Sequence, residues 1–412
     1  MLDRRAVIDH LREHACAPSP ERPPRVGVEQ EWHTFCVGDV ERHVHPAEIL
    51  SAASEPGRLP CGSTVTVEPG GQVELATTAT DPWWACLDAV RVDGAVLRQR
   101  LSEAGIAAVP AGVDPFRPPA RTLTHPRYDA MQAYFDSHGP EGRRMMSSCA
   151  SIQVNVDSGD AITMAHRWDL AHRIGPALGS AFACSPDPLH RSERLANWNA
   201  MDRTRTRPVL VTGDIGADWA TYVLAARVML VRDGDGTCRP LAHSMTFGEW
   251  VDDGLDGVRP TLDDLEYHCT TLFPPVRPRG WLELRWLDAL PAGVAELAIA
   301  AVAVLLIDEE AGQAAGEACT PVSAAAMWDT AAEVGPRHPG LAAAGAASLR
   351  FAAEALDRSE APGHWAEAVA EAADRWPAKG RCPADELEDR LAAGLGPEAL
   401  ADPAEEVLPW GR

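Results

Sequence analysis

Alternation of apolar and polar residues with period two marks the first part of the chain. Val26-Gly-Val-Glu-Gln-Glu-Trp-His-Thr-Phe-Cys36 predicts a strand whose Glu29, Glu31 and His33 point away from Val26, Val28 and Gln30. Two short strands within 64–78 flank Pro69-Gly70-Gly71, a hairpin signal. With a three-residue loop, Val67 faces Val73 and Thr66 faces Glu74, which places Glu68 and Glu74 on one face. A strand over 148–157 sets Ser151, Gln153 and Asn155 against Ile152, Val154 and Val156. Another over 281–287 sets Glu283 and Arg285 against Leu282, Leu284 and Trp286. A short apolar strand is expected over 106–110.

Helices are predicted over the first fifteen residues, 81–104, 126–137, 161–184, 217–231 and 261–271. Asp81 reads as an N-cap with Pro82 in the first turn, and Gly175-Pro176 reads as a break. A Pro-rich loop over 273–280 precedes the last strand. After Pro291 alanine becomes dense, and Pro/Gly punctuation separates four or five helical segments up to Ala401. The expected architecture is α+β: a sheet-containing catalytic core over 1–290 and a helical region over 291–412 packed on it, within one structural domain.

Four strand segments thus carry an apolar face and a face with Glu29, Glu31, Glu68, Glu74, Glu283, Gln153, Asn155 and Arg285. In an antiparallel sheet the apolar face packs on helices and the polar face meets water or a ligand. A solvated outer face is one reading. The other starts from the scarcity of bases among five carboxylates, since like charges crowd unfavourably without a cation. Oxygen donors of this kind suit Mg²⁺ or Mn²⁺, two or more ions, rather than zinc.

Charge and composition sharpen this picture. With 37 Lys+Arg against 60 Asp+Glu, the net charge of −23 argues against nucleic acid or an anionic membrane as partner. Lys379 is the only lysine, which excludes a P-loop, so phosphate handling falls to arginine, backbone amides or metal. The ten cysteines form no CxxC, and neither a signal core nor a membrane span stands out, so a reduced, cytoplasmic protein is expected. Candidate anion binders are Arg194, Arg203, Arg205 and Arg207, with Arg277 and Arg279 before the last strand. A solvated basic patch is the competing reading for any one of them. Cys149 has no base placed near it in sequence, so buried packing is expected. No pair of histidines has metal-ligand spacing.

In Val26-Gly-Val-Glu-Gln-Glu31, Thr66-Val-Glu-Pro-Gly-Gly-Gln-Val-Glu-Leu75, Ser148-Cys-Ala-Ser-Ile-Gln-Val-Asn-Val-Asp157, Met201-Asp-Arg-Thr-Arg-Thr206 and Thr270-Thr-Leu-Phe-Pro-Pro-Val-Arg-Pro-Arg-Gly-Trp-Leu-Glu-Leu-Arg285, the chain resembles the plant-like glutamate–cysteine ligase family. Within it the resemblance is to the bacterial branch serving ergothioneine biosynthesis. The resemblance implies a curved, mainly antiparallel sheet of the glutamine-synthetase-like carboxylate–amine ligase type. It implies ATP- and Mg²⁺-dependent joining of the L-glutamate γ-carboxylate to L-cysteine through γ-glutamyl phosphate, with small-molecule partners only. Glu29, Glu31, Glu68, Glu74 and Glu283 match the family's metal-binding acids, and Gln153 stands where some relatives have a histidine ligand. Arg205 and Arg285 match catalytic arginines. Asn155, Arg194, Arg203 and Arg277 are candidates for holding substrate. Arg203 and Trp281 depart from the family's pattern; Trp281 replaces a smaller or polar residue. A ligase for a different amine, a non-catalytic binding or regulatory member and a metal-dependent hydrolase are the alternatives.

Overall fold

The computed structural model describes residues 2–19, 23–54, 57–232, 237–241 and 243–401. Nine strands occur among them: β1 (Val26–Cys36), β2 (Thr64–Val67), β3 (Val73–Ala76), β4 (Ile106–Val109), β5 (Ser151–Asp157), β6 (Leu230–Arg232), β7 (Cys238–Pro240), β8 (Val276–Pro278) and β9 (Trp281–Asp288). Seven form one antiparallel sheet in the order β2-β3-β1-β5-β9-β8, with β4 also paired to β1; β6 and β7 form a separate ribbon. The fold is α+β.

The hairpin register matches the expectation: Thr66 faces Glu74 and Val67 faces Val73. Gly70 at its tip lies so close to Ser147 that a Cβ there would sit 2.2 Å from the Ser147 carbonyl oxygen. Only glycine fits such an approach. The strand β8, inside the stretch read as a loop, is the sheet edge; Arg277 on it faces Glu283. Between β5 and β9 the register shifts, so that Ile152 faces Leu287 while Val154 faces Leu284. That irregularity buries both Trp286 and Leu287, which strict alternation does not predict, while Arg285 stays on the polar face with Glu283 as alternation expects.

The apolar face carries Val26, Val28, Ile152, Val154, Val156, Leu282 and Leu284 into one large hydrophobic cluster. Helices Ala161–Ala181 and Val294–Ile307 lie in that cluster, the latter buried along nearly its whole length. The cluster continues to Leu400, so the two sequence regions share a core.

Three expectations are corrected. Asp81 is not an N-cap: the Asp81-Pro82 bond is cis, the chain is still turning, and the helix begins at Ala85. Gly175-Pro176 does not break its helix; Gly175 lets the Trp328 ring approach, where a Cβ would stand 2.3 Å from it, and Pro176 forgoes one helical hydrogen bond. The C-terminal region has seven α-helices among the described residues rather than four or five. Asp308 alone separates Val294–Ile307 from Glu309–Cys319, acting as C-cap of one and N-cap of the next, with no Pro or Gly to mark the junction. Residues 402–412 of the expected helical region lie outside the described residues.

Candidate active site

The polar faces of β1, β3, β5 and β9 converge on a cavity of about 250 Å³. Glu29, Glu31, Glu68, Glu74 and Glu283 all line it, with Gln153, Arg194, Arg277, Arg279 and Arg285. Helix Pro126–Asp136 and helix Glu141–Ser148 contribute Arg127, Tyr128, Met131, Met145 and Met146; Trp198 and Phe273 complete the wall. Glu31 is 9% exposed and Glu283 1%, which excludes a solvated outer sheet face.

The strand register explains the grouping. Glu31 lies opposite Glu74, Glu29 opposite Gln153, and Asn155 opposite Glu283, and residues directly opposite share a face. Burial, then the charges of Glu283 and Glu74, pushes the Glu29 carboxyl up to about 7. Burial and Glu74 push Glu68 up to about 7 as well. Glu31 is raised well above the carboxylate range by burial and by Glu68 and Glu74, although its Oε2 accepts the Ser151 N–H at 2.7 Å. The Thr66 hydroxyl donates to Glu74 at 2.7 Å.

Glu283 is different. Burial alone would raise its carboxyl, but Arg277, Arg285 and Arg279 hold it far below the usual range. Arg277 donates to both its oxygens at 2.6 and 3.0 Å, Arg285 at 3.0 Å and Arg279 at 3.2 Å. Arg285 also donates to the Gln153 carbonyl. Glu283 and Gln153, expected as metal ligands, are therefore held by arginine, and a cation reaches them only by displacing one. Glu29, Glu31, Glu68 and Glu74 have no such neutralisation, and their hard oxygen donors fit a divalent cation such as Mg²⁺ or Mn²⁺. Among the described residues no three His, Cys, Asp or Glu side chains form a ready coordination shell.

The remaining candidates divide. Arg194 lines the cavity, but its Nε donates to Asp288 at 2.8 Å and its NH2 to the Arg285 carbonyl at 3.2 Å, so it braces β9 from beneath. Asn155 sits beside Glu29 at 3.5 Å and accepts from the Trp281 indole at 2.9 Å. Arg203 and Arg205 are corrections. Arg203 is exposed and pairs with Asp329 at 2.8 Å, away from the cavity. Arg205 is completely buried, with all three nitrogens engaged by Asp202, Thr271, Tyr134 and the Arg227 carbonyl. It is a structural hub: the helix Arg203–Thr206 turns it inward, away from the carboxylates. Cys149 is buried and its thiol pushed up by that burial, so it is no nucleophile.

Sequence reasoning missed Arg127, Tyr128, Met131, Met145, Met146, Trp198 and Phe273 as wall residues. The helix over 126–137 was legible, but nothing in its sequence says which face meets the sheet. The helix Glu141–Ser148 was not foreseen.

Residues 25–406 match the family model described as glutamate–cysteine ligase family 2. The glutamate–cysteine ligase EgtA of Mycobacterium tuberculosis is 41% identical over 406 residues, spanning 96% of this chain and 92% of that protein. EgtA of Mycolicibacterium smegmatis is 39% identical over 380 residues, spanning 90% and 88%. The chloroplastic glutamate–cysteine ligase of Arabidopsis thaliana is 26% identical over 301 residues, spanning 65% and 56%. In fold alone, the chain resembles the glutamate–cysteine ligase of Francisella tularensis solved in complex with AMP, with a TM-score of 0.52 at 12% identity over 95% of this chain and 89% of that one.

Proposed function

The chain belongs to glutamate–cysteine ligase family 2, and from that premise we propose that it joins the γ-carboxylate of L-glutamate to the amine of L-cysteine with conversion of ATP to ADP and phosphate. The observation that carries this reading is the cavity in which four un-neutralised glutamates face a cluster of arginines around Glu283. The sequence resemblance to the ergothioneine-pathway branch supports that pathway as the destination of γ-glutamylcysteine and the cytoplasm as its place. No helix among the described residues is long and apolar enough to cross a membrane.

A divalent cation held by Glu29, Glu31, Glu68 and Glu74 would supply counter-charge to the phosphates. Arg285, poised between Gln153 and Glu283, faces the cavity and suits the transferring phosphoryl group or the attacking carboxylate. Arg277 and Arg279 present further positive charge on the same side. The γ-carboxylate oxygen bonds to the γ-phosphorus as the bond to ADP breaks. The cysteine amine then attacks the γ-carbonyl carbon, and phosphate leaves with the former carboxylate oxygen. Phosphoryl transfer asks mainly for positioning and charge stabilisation, which fits a site without a covalent nucleophile. Met131, Met145, Met146, Trp198 and Phe273 give the cavity an apolar wall beside the place the acyl phosphate would occupy.

Incubation with ATP, Mg²⁺, glutamate and a panel of amines, read by product mass, tests the reading. γ-Glutamylcysteine with stoichiometric ADP supports it. A γ-glutamyl product of another amine moves it to a sister ligase, and nucleotide-independent cleavage of a substrate overturns it.

A further inference from the structure

Arg207, a candidate anion binder from the sequence, takes no part in the carboxylate cavity. It lines a second cavity, of about 690 Å³, bordered by helix Ala161–Ala181, helix Ile215–Ala225 and residues 320–328. The two cavities share no lining residue. The volume lies within the roughly 300–1,000 Å³ of a site for one small molecule. Val209, Val211 and Trp328 give it apolar walls, and Leu210, 79% exposed, adds an uncovered apolar side chain.

Its polar groups are unevenly satisfied. Asp169 pairs with Arg173 at 3.3 Å, and Arg173 also donates to the Thr320 hydroxyl at 2.6 Å. Asp218 accepts from the Thr212 N–H at 3.0 Å and the Thr212 hydroxyl at 2.6 Å. Arg207 is exposed, and its guanidinium has no hydrogen bond or ion pair among the described residues. The charge left over is therefore positive. Two neutral groups are left over as well. Burial lowers His172 to about 4, so its ring is neutral. Its Nδ1 lies 2.8 Å from the Trp168 carbonyl, which can only accept, so the proton sits there and Nε2 keeps a lone pair. Burial raises the Tyr222 hydroxyl, against the pull of Arg205 and Arg207, so it keeps its proton. Neither His172 Nε2 nor the Tyr222 hydroxyl has a partner among the described residues, although the two side chains are only 7% and 3% exposed. Unpaired polar groups at that depth cost free energy. Ring contacts fix both: His172 meets Trp168 edge-on at 4.3 Å, and Tyr222 stacks on Trp219 at 5.4 Å between centroids.

We propose that this cavity is a binding site, separate from the carboxylate cavity, for an N-acylated amino acid with an apolar side chain. The carboxylate pairs with Arg207. The amide carbonyl accepts from the Tyr222 hydroxyl, and the amide N–H donates to His172 Nε2. The side chain lies on Val209, Val211 and Trp328. An amide carries its donor and its acceptor on separate atoms, as two separate protein groups require. A free amino acid matches less well, because its ammonium would be desolvated beside acids that Arg173 and Thr212 already engage. A bare inorganic anion would leave the apolar walls uncovered. The assignment does not depend on the ligase reading.

Ligand-observed NMR titration of the full chain with N-acetyl-L-phenylalanine tests the assignment, with N-acetyl-L-phenylalaninamide as the probe lacking the carboxylate. Wild type should bind the acid with a Kd of about 1 mM or tighter, and the amide at least about fivefold more weakly. Saturating glutamate and Mg²⁺-ADP should leave the affinity for the acid within about twofold, because the two cavities share no lining residue. Arg207→Gln should weaken the acid at least about fivefold and leave the amide within about twofold. Tyr222→Phe should weaken both probes at least about threefold without lowering the melting temperature, because it removes an unpaired hydroxyl. No binding of the acid to wild type at about 10 mM overturns the proposal, as does equal affinity for acid and amide. Displacement by glutamate or Mg²⁺-ADP would place the probe in the carboxylate cavity and also overturns it. So does unchanged affinity for the acid in Arg207→Gln. A melting temperature of Tyr222→Phe below wild type would mean that the hydroxyl already has a partner, and overturns its assignment to the ligand.

Discussion

Glu31 and Glu74 stand directly opposite each other on β1 and β3, two carboxylates on one face of an antiparallel pair. Like charges in that relation destabilise a sheet. Neither is paired with an arginine, in contrast to Glu283 a few residues across the same surface. The fold therefore keeps a local electrostatic conflict at the centre of its cavity, which is the conflict the proposed divalent cation would relieve.

Glu74→Gln should relieve that conflict. At a pH high enough to ionise Glu31, the ligand-free variant should be more stable than wild type by about 0.2–1 kcal/mol, measured by thermal melting in chelator. Its ligase turnover should fall at least about tenfold, roughly 1.4 kcal/mol of transition-state stabilisation. A variant that is both less stable without metal and fully active would contradict this.

The raised carboxyls give a pH signature. Glu29 and Glu68, at about 7 against the ordinary 4.5, bind protons in the folded state that the unfolded chain has already lost. Their contribution to stability is complete below about 4.5 and is lost as pH rises through about 7. A cation favours the ionised form, so Mg²⁺ should raise the melting temperature more at pH 8 than at pH 6. Its binding should also release protons, read as a dependence of calorimetric heat on buffer ionisation enthalpy. Metal stabilisation that is the same at both pH values would contradict it.

Three buried histidines work in the opposite direction. Burial lowers His33 to about 4, His172 to about 4 and His268 to about 3, from 6.5. The unfolded chain takes up these protons first, so stability present above 6.5 is lost as pH falls towards those values, by up to about 1.4 kcal/mol per pH unit for each histidine. His268 stacks on Phe247 and contacts the Val223 carbonyl. Replacing it with phenylalanine should flatten the acid limb of denaturant-derived stability by about one proton relative to wild type. An unchanged slope would show that His268 is protonated in the folded protein.

The two arginines assigned catalytic roles from sequence should behave differently. Arg205→Lys should chiefly destabilise, by about 3 kcal/mol, because it leaves buried Asp202 and its neighbours short of donors. Arg285→Lys should chiefly lower turnover, by at least about tenfold. Melting temperature and turnover measured side by side on both variants check this, and reversed effects would return Arg205 to the active site.

What was legible in the sequence was the part that short-range periodicity controls. The alternation in 26–36 and the hairpin register Thr66–Glu74 needed only period two and a three-residue loop, and both hold in the structure. Alternation alone also set the five glutamates on polar faces. That those faces share one cavity depends on strand order, which the local pattern does not encode. Arg203 and Arg205 were misplaced because a four-residue helix decides their directions, and no hydrophobic period is long enough there to reveal it. The arginine cage around Glu283 depends on β8, whose Val276-Arg-Pro278 is too short and too proline-rich to read as a strand.

The central claim is that a carboxylate oxygen of glutamate passes through an acyl phosphate at this cavity. The direct measurement uses L-glutamate labelled with ¹⁸O in the γ-carboxylate, with ATP, Mg²⁺ and L-cysteine, and mass analysis of the phosphate and nucleotide released. One labelled oxygen in inorganic phosphate, with ADP as the nucleotide product, is the predicted result. Label in AMP with pyrophosphate released, or unlabelled phosphate beside ADP, would contradict it.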